Sequence, residues 1–109
     1  MPETIRITMA VAQVLAALVE QPSAARYGLD LMRATGQPSG TIYPILVRLQ
    51  RAGWVESNWE NVDPSQEGRP PRRYYRLTPD ALPAARTELA AMRQRLSPAP
   101  GSHKPSPAW

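Results

Sequence analysis

The chain has no cysteine and no phenylalanine, and its 109 residues include a single histidine and a single lysine. The absence of cysteine excludes disulfides and thiolate metal sites, and it fits a reducing compartment, so we expect a cytoplasmic protein. No apolar run reaches the length of a membrane span, and Met1-Pro2-Glu3 lacks the basic segment that begins a signal peptide. We therefore expect no membrane partner.

Catalytic motifs are also missing from the sequence. His103, the one histidine, lies in a segment rich in proline and serine, where solvent would leave it neither a tuned base nor a metal ligand. The carboxylates are scattered rather than paired, and no glycine-rich phosphate loop is present. The sequence therefore predicts a protein that is not an enzyme and that holds no cofactor and no metal.

What the chain does have is an excess of positive charge carried almost entirely by arginine. Thirteen Lys+Arg stand against nine Asp+Glu, which gives a formal net charge of +4. The guanidinium fork suits phosphates and guanine edges, so the balance favours a nucleic-acid partner. A plain bias toward arginine codons would look the same, and the charge alone decides little.

Three helices with short connections are predicted in the first half of the chain. Apolar residues cover most of the circumference of residues 8–20, with Thr8 as the cap, and a second, shorter helix is predicted over residues 25–35. Gly36 is placed to end the second helix, and a third begins at Ser39 after only three residues. A turn of that length between two short helices is typical of a helix-turn-helix, whose second helix faces DNA.

The third helix, predicted over residues 39–52, divides into two faces. Apolar side chains spaced at i, i+3, i+4 and i+7 should face the core, and Gly53 should end the helix. Ser39 is expected to cap its start. The core face comprises Ile42, Ile45, Leu46 and Leu49.

Two strands separated by a long loop follow the third helix. Residues 54–59 and 73–77 alternate as half-buried strands do, with Val55 toward the core and with Tyr75 and Leu77 on one face of the second strand. The intervening residues 60–72 are too many for a tight turn, so we expect a flexible wing. Arg69 and Arg72 lie in its second half, and Arg73 follows directly and is counted with them as a wing arginine.

A fourth helix is predicted from Thr78, its cap, with Pro79 at the first position. Its apolar residues recur at intervals of three and four, as in the seam of a coiled coil, although the pattern covers only about two heptads. We expect a winged helix-turn-helix domain at residues 1–78, a dimerisation helix at 79–96, and a disordered tail at 97–109, where Pro, Ser, Gly and Ala dominate.

Four sequence blocks resemble the PadR-like family of transcription regulators. They are residues 27–31 (YGLDL), 38–49 (PSGTIYPILVRL), 53–56 (GWVE) and 73–78 (RYYRLT), and the resemblance covers roughly residues 5–96. It implies a mainly α fold with a small β-wing and an added C-terminal helix. It also implies a homodimeric repressor that binds a palindromic operator and is released by a small-molecule effector, within the short subgroup that has a single C-terminal dimerisation helix.

The resemblance and the helix-turn-helix pattern together assign candidate residues. The recognition helix should read bases while the wing contacts phosphates. The predicted DNA-binding residues are Ser39, Gly40, Thr41, Tyr43, Pro44, Arg48, Arg69, Arg72 and Arg73. The predicted dimer-interface residues are Val11, Leu15, Leu18, Leu82, Ala85, Leu89, Met92 and Leu96.

Two questions stay open at the level of sequence. Trp54 and Trp59 either line a ligand pocket or pack as ordinary strand residues. A winged helix can also serve as a protein-interaction module without specific DNA binding. The polar third helix and the arginine wing favour DNA, since an interaction module would tend to expose apolar residues on that helix.

Overall fold

The computed structural model describes residues 2–96, and the predicted tail at 97–109 lies outside them. The first helix, α1, spans Met9–Glu20, and the hydroxyl of Thr8 accepts a 3.2 Å hydrogen bond from the Val11 amide. This bond satisfies one of the amides that every helix leaves unpaired at its start. The predicted first helix and its cap are confirmed.

The predicted second helix begins three residues too early. Arg26–Tyr27 form a short strand, β1, and the helix α2 spans Gly28–Thr35. Asp30 fixes the start of this helix, because its carboxylate accepts a 3.0 Å bond from the Tyr27 amide. A strand of two residues is too short to show an alternating pattern. The helical spacing of the residues that follow therefore extended the predicted helix over β1.

The turn and the third helix follow as predicted, except at the cap. Gly36 ends α2 at φ 71°, the left-handed conformation that glycine adopts without strain, and α3 spans Ser39–Arg51. Pro38, not Ser39, occupies the cap position, and its carbonyl accepts bonds from the amides of Thr41 and Ile42. The prediction that Ser39 caps the helix is wrong, since Ser39 lies in the first turn.

A three-stranded antiparallel sheet holds the base of the wing, in the order β1, β3, β2. The strands β2 (Val55–Trp59) and β3 (Arg73–Leu77) are the two predicted strands, with Val55 opposite Leu77 and Trp59 opposite Arg73. The strand β1 pairs with the other edge of β3. The sheet therefore ties the wing to the start of α2.

The loop between β2 and β3 is more ordered than its composition predicts. It contains a single helical turn, α4 (Pro64–Glu67), capped by the Asp63 carboxylate and ended by Gly68 at φ 70°. Glu60 and Arg72 close its base through a 2.8 Å backbone bond. The expectation of a flexible wing overlooked this cap and the left-handed glycine, although both are visible in the sequence.

The last helix, α5, spans Ala81–Leu96 and starts later than predicted. Thr78 does not cap it. Instead, the Thr78 hydroxyl donates a 2.9 Å bond to the Gly53 carbonyl, and its own carbonyl accepts from the Ala81 amide in a turn before the helix. The late start of α5 explains why Pro83 does not interrupt it, because Pro83 lies in the first turn, where no helical amide bond is required.

One apolar core joins the helices to the inner face of the sheet. Trp54 is 3% exposed, and its indole N–H donates to the Glu3 carbonyl at 2.6 Å, so this tryptophan packs as a core residue. Trp59 is 63% exposed. Within residues 2–96, no helix is long and apolar enough to cross a membrane. The architecture is the predicted one: mainly α, a small β-wing and an added C-terminal helix.

Candidate nucleic-acid interface

The outer face of α3 is the first part of the candidate interface. Its four predicted core residues are buried at 5% exposure or less, which turns the opposite face outward. Tyr43 and Val47, one helical turn apart, are 43% and 46% exposed. The outer face thus combines apolar and polar side chains, and its exposed members are Ser39, Gly40, Tyr43, Pro44, Val47, Arg48, Gln50 and Arg51.

The start of α3 presents small residues to solvent. Ser39 and Gly40 are exposed, and Thr41 is half-buried. A Cβ added at Gly40 would meet no atom of the chain within 4 Å, so the fold itself does not require glycine there. Amides of a first helical turn attract phosphate oxygens, and a missing side chain lets a backbone approach closely.

Pro44 lies inside α3 without interrupting it. Proline has no N–H, so the carbonyl of Gly40, four residues earlier, lacks its usual helical donor. Both residues are exposed, and this leaves an acceptor on the outer face beside Tyr43.

A cleft of about 200 Å³ joins α3 to the wing. Its walls are the Tyr43 ring from α3, the start of α2, and the strand β3, so residues distant in sequence meet in one place. The lining residues are Tyr27, Gly28, Leu29, Tyr43, Arg72, Arg73 and Tyr75. This cleft brings the predicted recognition helix and two of the predicted wing arginines together.

Aromatic rings hold both arginines of the cleft. The guanidinium carbon of Arg72 lies 5.9 Å from the centre of the Tyr27 ring, and that of Arg73 lies 5.6 Å from the centre of the Trp59 ring. Arg73 also donates from Nε and Nη2 to the Ser57 hydroxyl at 3.0 and 2.7 Å. Both arginines remain exposed, and cation–π contacts fix their positions without neutralising their charge.

The third predicted wing arginine is paired within the chain. Arg69 Nη1 and Nη2 donate to the Glu60 carboxylate at 2.6 and 3.2 Å. The Arg69 guanidinium is therefore neutralised by its own wing, in contrast to Arg72 and Arg73. The sequence offered no sign of this pair, since Glu60 lies nine residues away across a loop without periodicity.

Glu60 is the most strongly perturbed group of the interface. Hydrogen bonds from Arg69, from the Tyr27 hydroxyl and from the Arg72 amide lower its pKa to about 2, from an ordinary 4.5. The same Tyr27–Glu60 bond raises the pKa of Tyr27. At neutral pH Glu60 is therefore ionised and Tyr27 is neutral, and neither group changes its charge in that range.

The predicted dimer residues separate into two groups. Val11, Leu15, Leu18 and Ala85 are at most 1% exposed within the single chain, so they offer no surface to a partner, and their assignment is corrected to the core. The remaining four leave apolar surface along α5, with Leu96 63% exposed. They are Leu82, Leu89, Met92 and Leu96.

Comparison with protein families gives one match. The model described as "Transcriptional regulator PadR-like family" matches residues 14–81, which is more than half of the chain. The matched segment contains α2, α3, the whole wing and most of α1. A comparison with curated proteins gives no match. Among residues 2–96, no group of His, Cys, Asp or Glu could hold a metal ion.

Solved structures share the fold. BpsR of Bordetella bronchiseptica is similar, with a TM-score of 0.67 and 22% identity over 82% of this chain and 58% of its own. A PadR-family transcriptional regulator from Eggerthella lenta is similar with a TM-score of 0.60 and 26% identity, over 75% of this chain and 72% of its own. MepR in the Staphylococcus aureus MepR–DNA complex has a TM-score of 0.63 and 16% identity, over 82% of this chain and 67% of its own. The chain spans about three fifths of the length of BpsR.

Proposed function

Because the chain belongs to the PadR-like family of transcriptional regulators, we propose that it represses transcription by binding a palindromic DNA operator as a homodimer. The observation that carries the proposal is the cleft in which Tyr43 of α3 meets Arg72 and Arg73 of the wing. A recognition helix in the major groove would then have two exposed arginines beside it for the flanking backbone.

The two elements have different roles in this proposal. Arg48 and Gln50 can bond base edges, and Val47 and the exposed part of the Tyr43 ring can contact a thymine methyl. Val47 falls outside the predicted core face of α3 but is not among the predicted DNA-binding residues; its 46% exposure makes it a candidate. Arg72 and Arg73 supply contacts to phosphates, which add affinity but carry no sequence information.

The alternative, a protein-interaction module, has one observation in its favour. Leu29, Tyr43 and Val47 are each more than 40% exposed, and an exposed apolar surface often marks a protein interface. The arginines beside these residues favour DNA, because interface cores are depleted of charge. A duplex-binding measurement separates the two candidates.

The homodimer is proposed through α5 together with the exposed part of α1. α5 packs along α1 of its own chain and buries Ala81 and Ala85 there. Leu96 and Met9 stay 63% and 48% exposed, which is costly in water for side chains of this size. A second copy that covered them would also place two recognition helices about a two-fold axis.

Release by a small molecule completes the proposed function. The DNA binding of BpsR is regulated by 6-hydroxynicotinic acid. In this chain, a groove of about 440 Å³ lies between Pro22, Leu77 and Leu82, within the size range of ligand sites. If this groove holds an effector, Ser23→Trp, which fills it from its exposed rim, should abolish release without weakening operator binding.

Selection of bound sequences from a random duplex library tests the proposed function. We expect an inverted repeat whose half-site centres lie about 10 bp apart or a small multiple of that, because two-fold related helices meet the same face of the duplex at that spacing. Enrichment without a repeat would contradict the dimer, and no enrichment at all would contradict specific DNA binding.

A further inference from the structure

The Glu60 carboxylate connects three separate parts of the interface. Oε1 accepts from Arg69 Nη1 at 2.6 Å and from the Arg72 amide at 2.8 Å, and Oε2 accepts from the Tyr27 hydroxyl at 2.8 Å and from Arg69 Nη2 at 3.2 Å. Both oxygens thus bond the wing, and Oε2 also bonds the residue that precedes α2. The Glu60 side chain is 10% exposed.

The Tyr27 end of this connection lies in the helix-turn-helix. Tyr27 precedes Gly28, the first residue of α2, and its ring also contacts the guanidinium of Arg72. The Tyr74 ring packs edge-on against it, with ring centres 6.4 Å apart. Movement of the Glu60 carboxylate would therefore change the position of Arg72 relative to α2 and the adjacent α3.

A carboxylate beside a DNA surface should weaken binding, because it repels phosphates. Glu60 is nonetheless held ionised by its donors, and its charge is balanced by Arg69. The pair Glu60–Arg69 adds no net charge to the wing. Glu60 alone would oppose DNA binding, so a role in positioning the wing explains why the Glu60–Arg69 pair is present there.

We propose that Glu60 is the positioning residue of the wing, and that Arg69 acts through Glu60 rather than on DNA. The carboxylate holds the Arg72 backbone against Tyr27, so that Arg72 and Arg73 stand beside α3 before DNA arrives. This inference rests on the proposed function. It differs from the expectation that all three wing arginines contact phosphates.

A charge-matched pair of variants gives the first test. Glu60→Gln and Glu67→Gln each remove one negative charge from the same wing, and Glu67 is exposed on α4 and is not among the hydrogen-bond partners given above for Glu60. Under the proposal, Glu60→Gln weakens operator binding by about tenfold, although the protein becomes more positive. Glu67→Gln leaves the affinity unchanged or raises it. If Glu60→Gln raises the affinity as Glu67→Gln does, Glu60 is only a repulsive charge and the proposal is overturned.

The salt dependence of binding tests the role of Arg69. The double variant Glu60→Gln/Arg69→Gln keeps the net charge of the parent, so general electrostatic attraction is matched. We expect the double variant to have the same salt slope as Glu60→Gln, whereas Arg72→Gln should lower the slope of the parent by about one unit for its lost phosphate contact. A slope about one unit lower in the double variant than in Glu60→Gln would show that Arg69 contacts a phosphate.

Amide hydrogen exchange tests the positioning without any DNA. The Arg72 amide donates to Glu60, so its exchange should accelerate at least several-fold in Glu60→Gln and to a smaller degree in Tyr27→Phe. The amides of α1 serve as an internal control for folding. Unchanged exchange at Arg72 overturns the inference even if the parent binds its operator. A parent that binds no duplex contradicts the proposed function instead, and the exchange result still decides the position of the wing.

Discussion

The ring of Tyr43 lies directly against the backbone of Gly28. A Cβ at position 28 would stand 2.7 Å from Cζ and 2.8 Å from Cε1 of the ring, closer than unbonded carbons approach. Gly28 is buried, whereas Tyr43 is 43% exposed, so the hydroxyl end of the ring rests on α2 while the rest of the side chain stays partly open to solvent. The missing side chain at Gly28 therefore sets the direction in which the Tyr43 hydroxyl points.

Gly28→Ala should redirect Tyr43 without unfolding the protein. The atoms that would clash belong to the far end of an exposed side chain, which can rotate away, and alanine favours a helix more than glycine does. We expect little change in the melting temperature and a loss of about 1 to 3 kcal/mol in binding to the selected operator. Titration of operator and random duplexes measures the loss.

A double-mutant cycle supplies the control for this prediction. If Gly28→Ala acts only through the tyrosine ring, adding it to Tyr43→Ala should cost nothing further. Additive losses in the double variant would mean that Gly28 contributes to binding independently of Tyr43.

Gly40→Ala tests whether DNA comes close to the start of α3. A Cβ at Gly40 has open space within the chain, so the free energy of unfolding should stay equal or rise, by up to about 1 kcal/mol. Operator affinity should fall at the same time, because the added methyl group stands between the helix and the DNA backbone. Unchanged affinity in this variant would place the DNA backbone elsewhere.

The pKa of Glu60 predicts how the stability of the wing depends on pH. Its pKa in the folded chain is about 2, below the ordinary 4.5, chiefly because Arg69 donates to it. A lowered pKa stabilises the fold above the ordinary value, and this contribution disappears as the pH falls toward about 2. The difference in melting temperature between the parent and Glu60→Gln should thus be constant above about pH 5 and should shrink toward pH 2. If the difference in melting temperature is the same at about pH 2 as above about pH 5, an ionised Glu60 is not its source.

The proposed dimer can be tested at Leu96. Because this side chain is exposed, a substitution there does not disturb the core. Leu96→Glu would place a charge in an apolar contact and should raise the dimer dissociation constant by at least about tenfold. Gln94→Glu makes the same charge change at an exposed polar position of the same turn and should have little effect. Sedimentation of both variants and of the parent measures the three dimer dissociation constants. A parent that stays monomeric at about tens of micromolar would contradict the dimer.

The sequence predicted the elements whose local pattern is strong. The spacing of Ile42, Ile45, Leu46 and Leu49 identified the buried face of α3, and Gly36 and Gly53 ended their helices as expected. The antiparallel pair β2 and β3 followed from alternation alone. These features depend on residues within one helical turn or one strand, and such patterns are legible without tertiary contacts.

What the sequence missed depends on contacts between distant segments. Glu60 looked like an ordinary loop acid, yet Tyr27, 33 positions earlier, donates to it. Val11 and Leu15 looked suited to a partner subunit because their helix is apolar all round, but one chain buries them completely. Thr78 resembled a helix cap until the Gly53 carbonyl was found to accept its hydroxyl. Long-range partners of this kind override local preferences.

The central claim is that α3 reads DNA sequence while the wing supplies affinity. The most direct test is the ratio of operator to random-duplex affinity, measured across salt concentrations for the parent, for Tyr43→Ala and Arg48→Ala, and for Arg72→Gln. We predict that the two α3 variants lose about 1 to 3 kcal/mol on the operator and much less on random DNA, so that the ratio falls. Arg72→Gln should weaken both duplexes alike and keep the ratio. An unchanged ratio in both α3 variants would contradict the assignment of α3 as the recognition helix.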